Sequence, residues 1–165
     1  MASQWFAVQI KSKQEDHCSN LFRDKGIETY LPKLEVMTFH ARKRRMTIKP
    51  LFSGYLFIKL DIHKDLFDAR WTKGVVRLLP DSTDPFPLSN ELIEGIKALE
   101  DDDGVIRRQS SEDYTRVRIT AGPFKDMTGL VDPRLSDKDR VRILLDMVAY
   151  SASLDIHPSL IERAA

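Results

Sequence analysis

The stretch "PLFSGYLFIKLD", residues 50–61, is the most apolar part of the chain and lies a few residues after a basic run. Four consecutive cations stand at positions 42–45, and large apolar side chains crowd into residues 51–58. Aromatic and β-branched residues of this kind favour a strand that is buried on at least one face. The preceding stretch, "LEVMTFHARKRRMTIKPLF", predicts two strands around the basic run, a long hairpin with residues 42–45 at its tip.

Strand and helix patterns alternate on either side of this hairpin. Ser89 has the position of an N-cap before the helical spacing of Leu92, Ile93, Ile96 and Leu99. The order of these elements predicts a compact α+β domain, with helices packed on a mostly antiparallel sheet. The other predicted strands are residues 4–10, 27–32 and 74–80, and the other predicted helices are residues 13–26 and 63–72.

Charge is distributed unevenly, although the formal net charge is only +1. Residues 1–80 contain 15 Lys and Arg against 8 Asp and Glu, whereas residues 100–113 contain 2 against 6. A basic N-terminal part of this kind favours polyanionic partners. No apolar run approaches a membrane span, no secretory signal precedes the first strand, and the single cysteine, Cys18, fits a reducing compartment. These observations predict a cytoplasmic protein without a membrane contact.

A second domain is predicted after the acidic segment at 100–113, which has the composition of a linker. "TRVRIT" at 115–120 alternates apolar and basic residues, and "LVD", "DRVRILLDM" and "ASLDIHP" are read as further short strands. Several short strands within about 50 residues predict a small β-barrel. The predicted domains are therefore residues 1–99 and 114–165.

Catalytic and metal-binding patterns are missing from the sequence. The four histidines are scattered, without metal-ligand spacing, and no phosphate-binding or nucleophile-elbow motif occurs. We therefore predict a binding protein that is not an enzyme and that needs no metal or cofactor.

Two motifs carry a resemblance to a known family. "RVRITAGPFKDMTGLV" at 116–131 is similar to a KOW motif, with a basic strand, a Gly-Pro-Phe turn and a return through Gly-Leu-Val. "WFAVQ" at 5–9, "PLFSGYLFIKLD" and "KGVVRLL" at 73–79 resemble the N-terminal (NGN) domain of NusG. Over nearly its whole length, the chain thus resembles a bacterial transcription elongation factor of the NusG/RfaH family. The short length and the "PLFSGYLF" form favour the specialised paralogues that include RfaH.

The resemblance implies a patch that binds the clamp helices of RNA polymerase. The matching positions are Phe52, Tyr55 and Phe57. Phe57, in mid-strand, fits either a core position or the patch, and Tyr55 is expected at the surface because its hydroxyl tolerates a wet rim.

The resemblance also implies contact with DNA, either upstream duplex or the exposed non-template strand. The candidate residues share a positive charge: Lys11, Lys13, Arg42, Lys43, Arg44, Arg45 and Lys73. Trp71 is a candidate surface for stacking on a base, and core packing is the alternative.

Two further contacts follow from the resemblance. RfaH touches the opposite pincer of the polymerase through a short His-Thr-Thr element, and the matching positions here are Asp65, Leu66 and Phe67. The KOW domain of relatives binds a small-subunit ribosomal protein or Rho, and Phe124 is the candidate contact. In RfaH this domain also folds as a helical hairpin that masks the polymerase patch, but the alternation in "RVRIT" and "DRVRILL" favours the barrel.

The predicted function is therefore that of a monomeric elongation and antitermination factor. It would dock on RNA polymerase, contact DNA near the bubble, suppress pausing and increase processivity, while the KOW domain recruits a second partner. The alternative is a KOW-containing protein that binds RNA or the ribosome, which leaves the aromatic patch unexplained. A third class, an enzyme with an unrecognised site, has no constellation to support it.

Overall fold

The computed structural model describes residues 3–107 and 135–156, and side chains of the second range up to residue 149. Apolar alternation and helical spacing in the first range produce three helices and seven strands there, and one long helix occupies the second. The strands are β1 (Gln4–Ile10), β2 (Glu28–Tyr30), β3 (Lys33–His40), β4 (Lys43–Pro50), β5 (Tyr55–Leu60), β6 (Val75–Leu78) and β7 (Val105–Ile106). The helices are α1 (Glu15–Asp24), α2 (Ile62–Arg70), α3 (Asn90–Lys97) and α4 (Asp137–Ile156). None of the described helices is long and apolar enough to cross a membrane.

The central sheet has the strand order β2-β5-β1-β6, and all its pairs are antiparallel. Successive side chains of a strand point to opposite faces, so a sheet covered on both sides contains nearly continuous apolar strands. In β5, Leu56 and Ile58 belong to the apolar cluster on one face, and Tyr55 and Phe57 belong to the cluster on the other. This two-sided burial explains the unbroken apolar stretch in the sequence.

Helices cover the two faces separately. Cys18 and Phe22 of α1 and Ala69 of α2 pack with Leu56 and Ile58. On the other face, α3 contributes Leu92, Ile93 and Ile96 to the cluster that holds Phe57. The Ser89 hydroxyl accepts a hydrogen bond from the Leu92 N–H at 3.2 Å, so the predicted N-cap is confirmed. The α+β layout with an antiparallel sheet and packed helices, expected from the sequence, is likewise confirmed.

The predicted hairpin consists of β3 and β4, which pair from Lys33↔Pro50 to His40↔Lys43. Its turn is only two residues long, Ala41 and Arg42, whose φ angles of 51° and 65° fit a type I′ connection. The tip predicted at residues 42–45 is therefore wrong in this structure: Lys43, Arg44 and Arg45 belong to strand β4, and only Arg42 of the four cations lies in the turn.

Part of the segment predicted to be a linker is structured. Val105 and Ile106 are buried and pair in parallel with Lys33 and Leu34, so that β7 completes a second sheet in the order β4-β3-β7. Arg107 then forms ion pairs with Glu35, Asp101 and Asp103, which raise its pKa, and Arg107 in turn lowers the pKa of Asp103. Residues 108–113 lie outside the described residues.

The strands predicted for "DRVRILLDM" and for the first part of "ASLDIHP" are wrong in this structure, because residues 137–156 form α4. A reciprocal cap starts the helix: the Asp139 N–H donates to the Ser136 hydroxyl at 3.2 Å, and the Ser136 N–H donates to Asp139 Oδ2 at 3.2 Å. The Ser136 N–H and hydroxyl both donate to the Asp139 carboxyl, and these two hydrogen bonds lower its pKa. The remaining strands predicted for the C-terminal barrel, and Phe124, lie outside the described residues.

Candidate polymerase-docking patch and nucleic-acid interface

We call Phe52, Tyr55 and Phe57 together the docking patch. All three lie in one apolar cluster. The Phe52 and Phe57 rings meet edge to face with centroids 5.9 Å apart, and Tyr30 stacks on Phe57 at 6.2 Å. Aromatic pairs at these distances add to the free energy gained by burial. The structure therefore brings together the residues that the sequence analysis selected.

Helix α4 contributes to the same cluster as the docking patch. Leu144, Met147 and Val148 are buried in it, and Val141 and Leu145 pack against it. Their spacing of three and four residues forms a single apolar stripe along the helix. Tyr55 is only 8% exposed in this arrangement, so the surface position expected for it is wrong in this structure. The cluster that it shares with α4 explains why an aromatic on a prospective contact surface is buried.

Polar contacts fasten the first turn of α4 to the loop between β4 and β5. Arg140 is 2% exposed, and its Nε donates to the Leu51 carbonyl oxygen at 3.1 Å. Its Nη1 donates to the Leu135 carbonyl at 3.1 Å, and its Nη2 pairs with Asp137. The Ser53 hydroxyl donates to Asp137 Oδ2 at 3.4 Å. A guanidinium fork buried in this way needs all its partners in place, which fixes the position of the helix.

Two of the nucleic-acid candidates come together at one end of the central sheet. The Lys11 N–H donates to the Gly74 carbonyl oxygen at 2.9 Å, which places Lys11 beside the turn that carries Lys73. Lys11, Lys13 and Lys73 are all exposed. Gly74 has φ of 94°, and a Cβ there would lie 2.5 Å from Cys18 Sγ. Only glycine allows this close approach, so Gly74 sets the position of the lysine-bearing turn.

The hairpin cations belong to the other sheet. Arg42, Lys43, Arg44 and Arg45 are all exposed, and the Arg44 guanidinium lies 5.6 Å from the centroid of the Phe39 ring. Because side chains alternate along β4, Lys43 and Arg45 share one face of the hairpin and Arg44 lies on the other. The basic run thus presents cations on both faces of the hairpin.

The residues that match the opposite-pincer element occupy α2 and differ in accessibility. Asp65 Oδ2 accepts a hydrogen bond from the Asp61 N–H at 3.1 Å, and Leu66 packs against the core. Phe67 is 71% exposed and lies 6.4 Å from the Trp71 ring, which is 69% exposed. Core packing of Trp71, the alternative considered from the sequence, is therefore wrong. Phe67 and Trp71 form an exposed aromatic pair that sequence reasoning did not connect.

Other features were missed from the sequence. The helical spacing Val141, Leu144, Leu145 and Val148 and the Ser136-x-x-Asp139 cap were signals for α4.

Within the part of the chain that the structure describes, no group of three or more His, Cys, Asp or Glu side chains could hold a metal ion.

Comparisons with known proteins place these features in context. The family model described as transcription termination factor nusG matches residues 3–97. Transcription termination/antitermination proteins NusG of Deinococcus radiodurans, Campylobacter jejuni and Thermus thermophilus are 25%, 27% and 24% identical to this chain. The alignments cover 99%, 96% and 99% of this chain and 100%, 96% and 100% of those proteins.

A solved structure titled "Domain interaction in Thermotoga maritima NusG" is 17% identical, with a TM-score of 0.40. The match covers 57% of this chain and 55% of that one. These relatives carry the NusG name, and they lend no support to the narrower assignment to RfaH-like paralogues.

Proposed function

This chain belongs to the NusG family of transcription factors, and from that premise we propose that it is an elongation and antitermination factor that binds RNA polymerase through the docking patch. The observation that carries the proposal is the aromatic cluster of Phe52, Tyr55 and Phe57 on one face of the central sheet. Aromatic side chains that are gathered in one place dominate the energetics of protein interfaces. In this function the protein binds and performs no chemistry.

We propose further that α4 regulates access to the docking patch. The helix and the patch share one apolar cluster, so a polymerase element that binds the patch must displace α4. The affinity for polymerase then falls by the fraction of molecules in which α4 is released. This is the helical, masking arrangement that the resemblance to RfaH implied for the C-terminal region. A KOW barrel over residues 114–165 would be the fold of this region after release.

Nucleic-acid contact is assigned to the exposed cations. Lys11, Lys13 and Lys73 lie at one end of the central sheet, where they would contact phosphates of the non-template strand or the upstream duplex. The hairpin cations, Arg42–Arg45, would extend this contact from the second sheet. Bound in this way, the factor would stabilise the elongating polymerase against pausing and increase processivity.

Two weaker contacts complete the proposal. Of the three residues that match the opposite-pincer element, Phe67 is exposed enough to reach a partner, together with Trp71. Phe124 of the KOW domain would contact a small-subunit ribosomal protein or Rho. The factor would act in the cytoplasm as a monomer, held to its second partner through a tether that raises the local concentration.

The direct test is gel filtration of the full chain with purified core RNA polymerase, with and without a DNA bubble. Tyr55→Ala is expected to reduce co-elution strongly, because it removes a central aromatic of the docking patch. Leu56→Ala is the matched control, since Leu56 is the next residue of the same strand, is also buried and points to the opposite face. Circular dichroism checks that both variants fold.

The outcomes separate the candidate functions. Loss of co-elution in Tyr55→Ala but not in Leu56→Ala supports the patch assignment. Equal co-elution of both folded variants would show that the patch is not the polymerase contact. If the chain instead purifies with ribosomal RNA and never with polymerase, it is the KOW-containing RNA- or ribosome-binding protein of the alternative.

A further inference from the structure

The outer edge of β4 has no strand beside it in residues 3–107 and 135–156. β4 pairs with β3 over Lys43–Pro50, and it stands first in the order β4-β3-β7. Every residue of β4 is exposed or half-exposed. A strand edge of eight residues presents a row of N–H and C=O groups that an additional strand can bond.

The register determines which groups point outwards. His40 and Lys43 close the two-residue turn, so they form a hydrogen-bonded pair, and such pairs then alternate along the ladder. The residues between these pairs, Arg44, Met46 and Ile48, direct their N–H and C=O groups to the free edge. Pro50 falls in the same outward series, where its missing N–H costs the hairpin no ladder bond.

The side chains at this edge differ between the two faces of the hairpin. One face carries Met46 and Ile48, which are 53% and 50% exposed, and also Arg44 near the turn. Across the hairpin, Met37 pairs with Met46, and the 70% exposed Phe39 pairs with Arg44. The other face carries the cations Lys43, Arg45 and Lys49. The edge therefore offers the apolar pair Met46 and Ile48 on one face, followed by Arg44 near the turn, and a cationic row on the other face.

We propose that the outer edge of β4 binds an extended segment of a partner protein in which apolar and acidic residues alternate. The segment would join as a further strand, bonding the outward amides of Arg44, Met46 and Ile48. Its apolar side chains would lie beside Met46 and Ile48, and its carboxylates would lie beside Lys43 and Arg45. This interaction does not use the docking patch, but it shares Lys43 and Arg45 with the proposed DNA contact, so the two would exclude each other at the hairpin.

Charge decides between this occupant and a segment of the same protein. A second copy would place Lys43, Arg45 and Lys49 of two edges next to one another, and like charges on neighbouring strands are destabilising. The alternating segment "TRVRIT" at 115–120 carries arginines, so it meets the same repulsion. An acidic strand removes the repulsion and covers the exposed apolar pair.

Nucleic acid is the competing occupant of the hairpin. A polyanion would use the cations, but it needs neither the exposed Met46 and Ile48 nor the outward amides. The two occupants therefore differ in a measurable way, since only an added strand protects alternate backbone amides from exchange with solvent.

The test is amide hydrogen exchange of the full chain, followed by NMR, with a peptide of about eight residues that alternates Val and Glu. With the peptide present, the exchange rates of the Arg44, Met46 and Ile48 N–H groups are expected to fall by about tenfold or more. Those of Arg45 and Thr47 already bond to β3 and should change little. A peptide of the same composition, with Val and Glu in separate blocks, controls for charge.

A matched pair of variants tests the backbone contact. Ile48→Pro removes one outward N–H without touching the ladder to β3, and is expected to weaken peptide binding by about two- to tenfold, the worth of one hydrogen bond. Ile48→Val keeps the N–H and should bind as the parent does. The proposal is overturned if the peptide with Val and Glu in separate blocks binds equally well. It is also overturned if the alternating peptide leaves the exchange of the Met46 and Ile48 amides unchanged and is displaced by an oligothymidylate, because the edge then attracts polyanions only.

Discussion

Replacement of Arg140 by alanine should release α4 from the docking patch. The change removes the buried guanidinium and with it the hydrogen bonds to the carbonyls of Leu51 and Leu135 and the pairing with Asp137. Leu51 is the partner on the N-terminal domain, so its carbonyl loses the donor that ties it to the helix. The helix keeps its apolar stripe, but it loses the polar contacts that fix its position.

The size of the effect follows from the burial of the partners. Removing one member of a buried pair costs about 3–5 kcal/mol. The Asp137 side chain is 45% exposed, and water therefore replaces part of the lost interaction. Hydrogen bonds to a charged group are worth about 1.5–3 kcal/mol, and we expect about 2–3 kcal/mol here. That corresponds to a shift of roughly 30- to 150-fold towards the released helix.

Two assays measure this shift. Hydrogen exchange of the amides in residues 141–149 should accelerate by a similar factor, because opening of the helix controls their exchange. Polymerase binding should strengthen in parallel, as the released fraction rises. Arg142→Ala is the matched control: Arg142 stands two residues further along the same helix, its side chain is 74% exposed, and it pairs with Asp139.

The reasoning fails if Arg140→Ala and Arg142→Ala give the same exchange rates in α4. Faster exchange without stronger polymerase binding would keep the anchoring role of Arg140, but it would refute the idea that α4 masks the docking patch.

Three further predictions concern stability. Gly74→Ala should lower the free energy of unfolding by about 2–4 kcal/mol, because Gly74 has a positive φ and a Cβ there would clash with Cys18. Gly104→Ala, with a positive φ but open space around it, should lower it by about 1 kcal/mol. Urea unfolding compares the two variants, and equal losses would contradict the packing argument. Asp139 has a lowered pKa in the folded protein, so its contribution to stability is present above its unfolded pKa of about 3.9 and is lost as pH falls through the folded value. The helical signal at 222 nm should decline over that acid range, and Asp139→Asn should lack this component. Trp71→Ala should change stability by about 0.5 kcal/mol or less, against about 3–5 kcal/mol for the buried Trp5→Ala. A large effect at Trp71 would show that its ring packs against the core.

The N-terminal domain was predictable because its local signals agree with one another. The apolar run of β5 and the cap at Ser89 both indicate the elements that form. The meeting of Lys11 with the turn that carries Lys73 was not predictable, because it depends on the pairing of β1 with β6 and on the close approach at Gly74. These are long-range contacts with no local signature.

The C-terminal region was misread because its sequence carries two periods at once. Val141, Ile143 and Leu145 alternate as a strand would, while Val141, Leu144, Leu145 and Val148 follow the helical spacing. Local pattern could not decide between them, because the choice depends on the docking patch as a packing surface. The burial of Tyr55 was missed for the same reason, since it lies in a cluster that includes residues of α4.

The two-sided burial of β5 separates the positions that belong to the docking patch from those that pack against α1 and α2. Its odd positions, Tyr55 and Phe57, belong to the cluster that includes α4, while its even positions, Leu56 and Ile58, belong to the cluster closed by α1 and α2. A library that varies the odd positions, selected for a new binding partner, would leave the α1 side of the domain intact. Variants at the even positions would instead change the packing against α1 and α2, and the midpoint of thermal unfolding would measure that change. One six-residue strand thus offers two separate sets of positions to protein engineering.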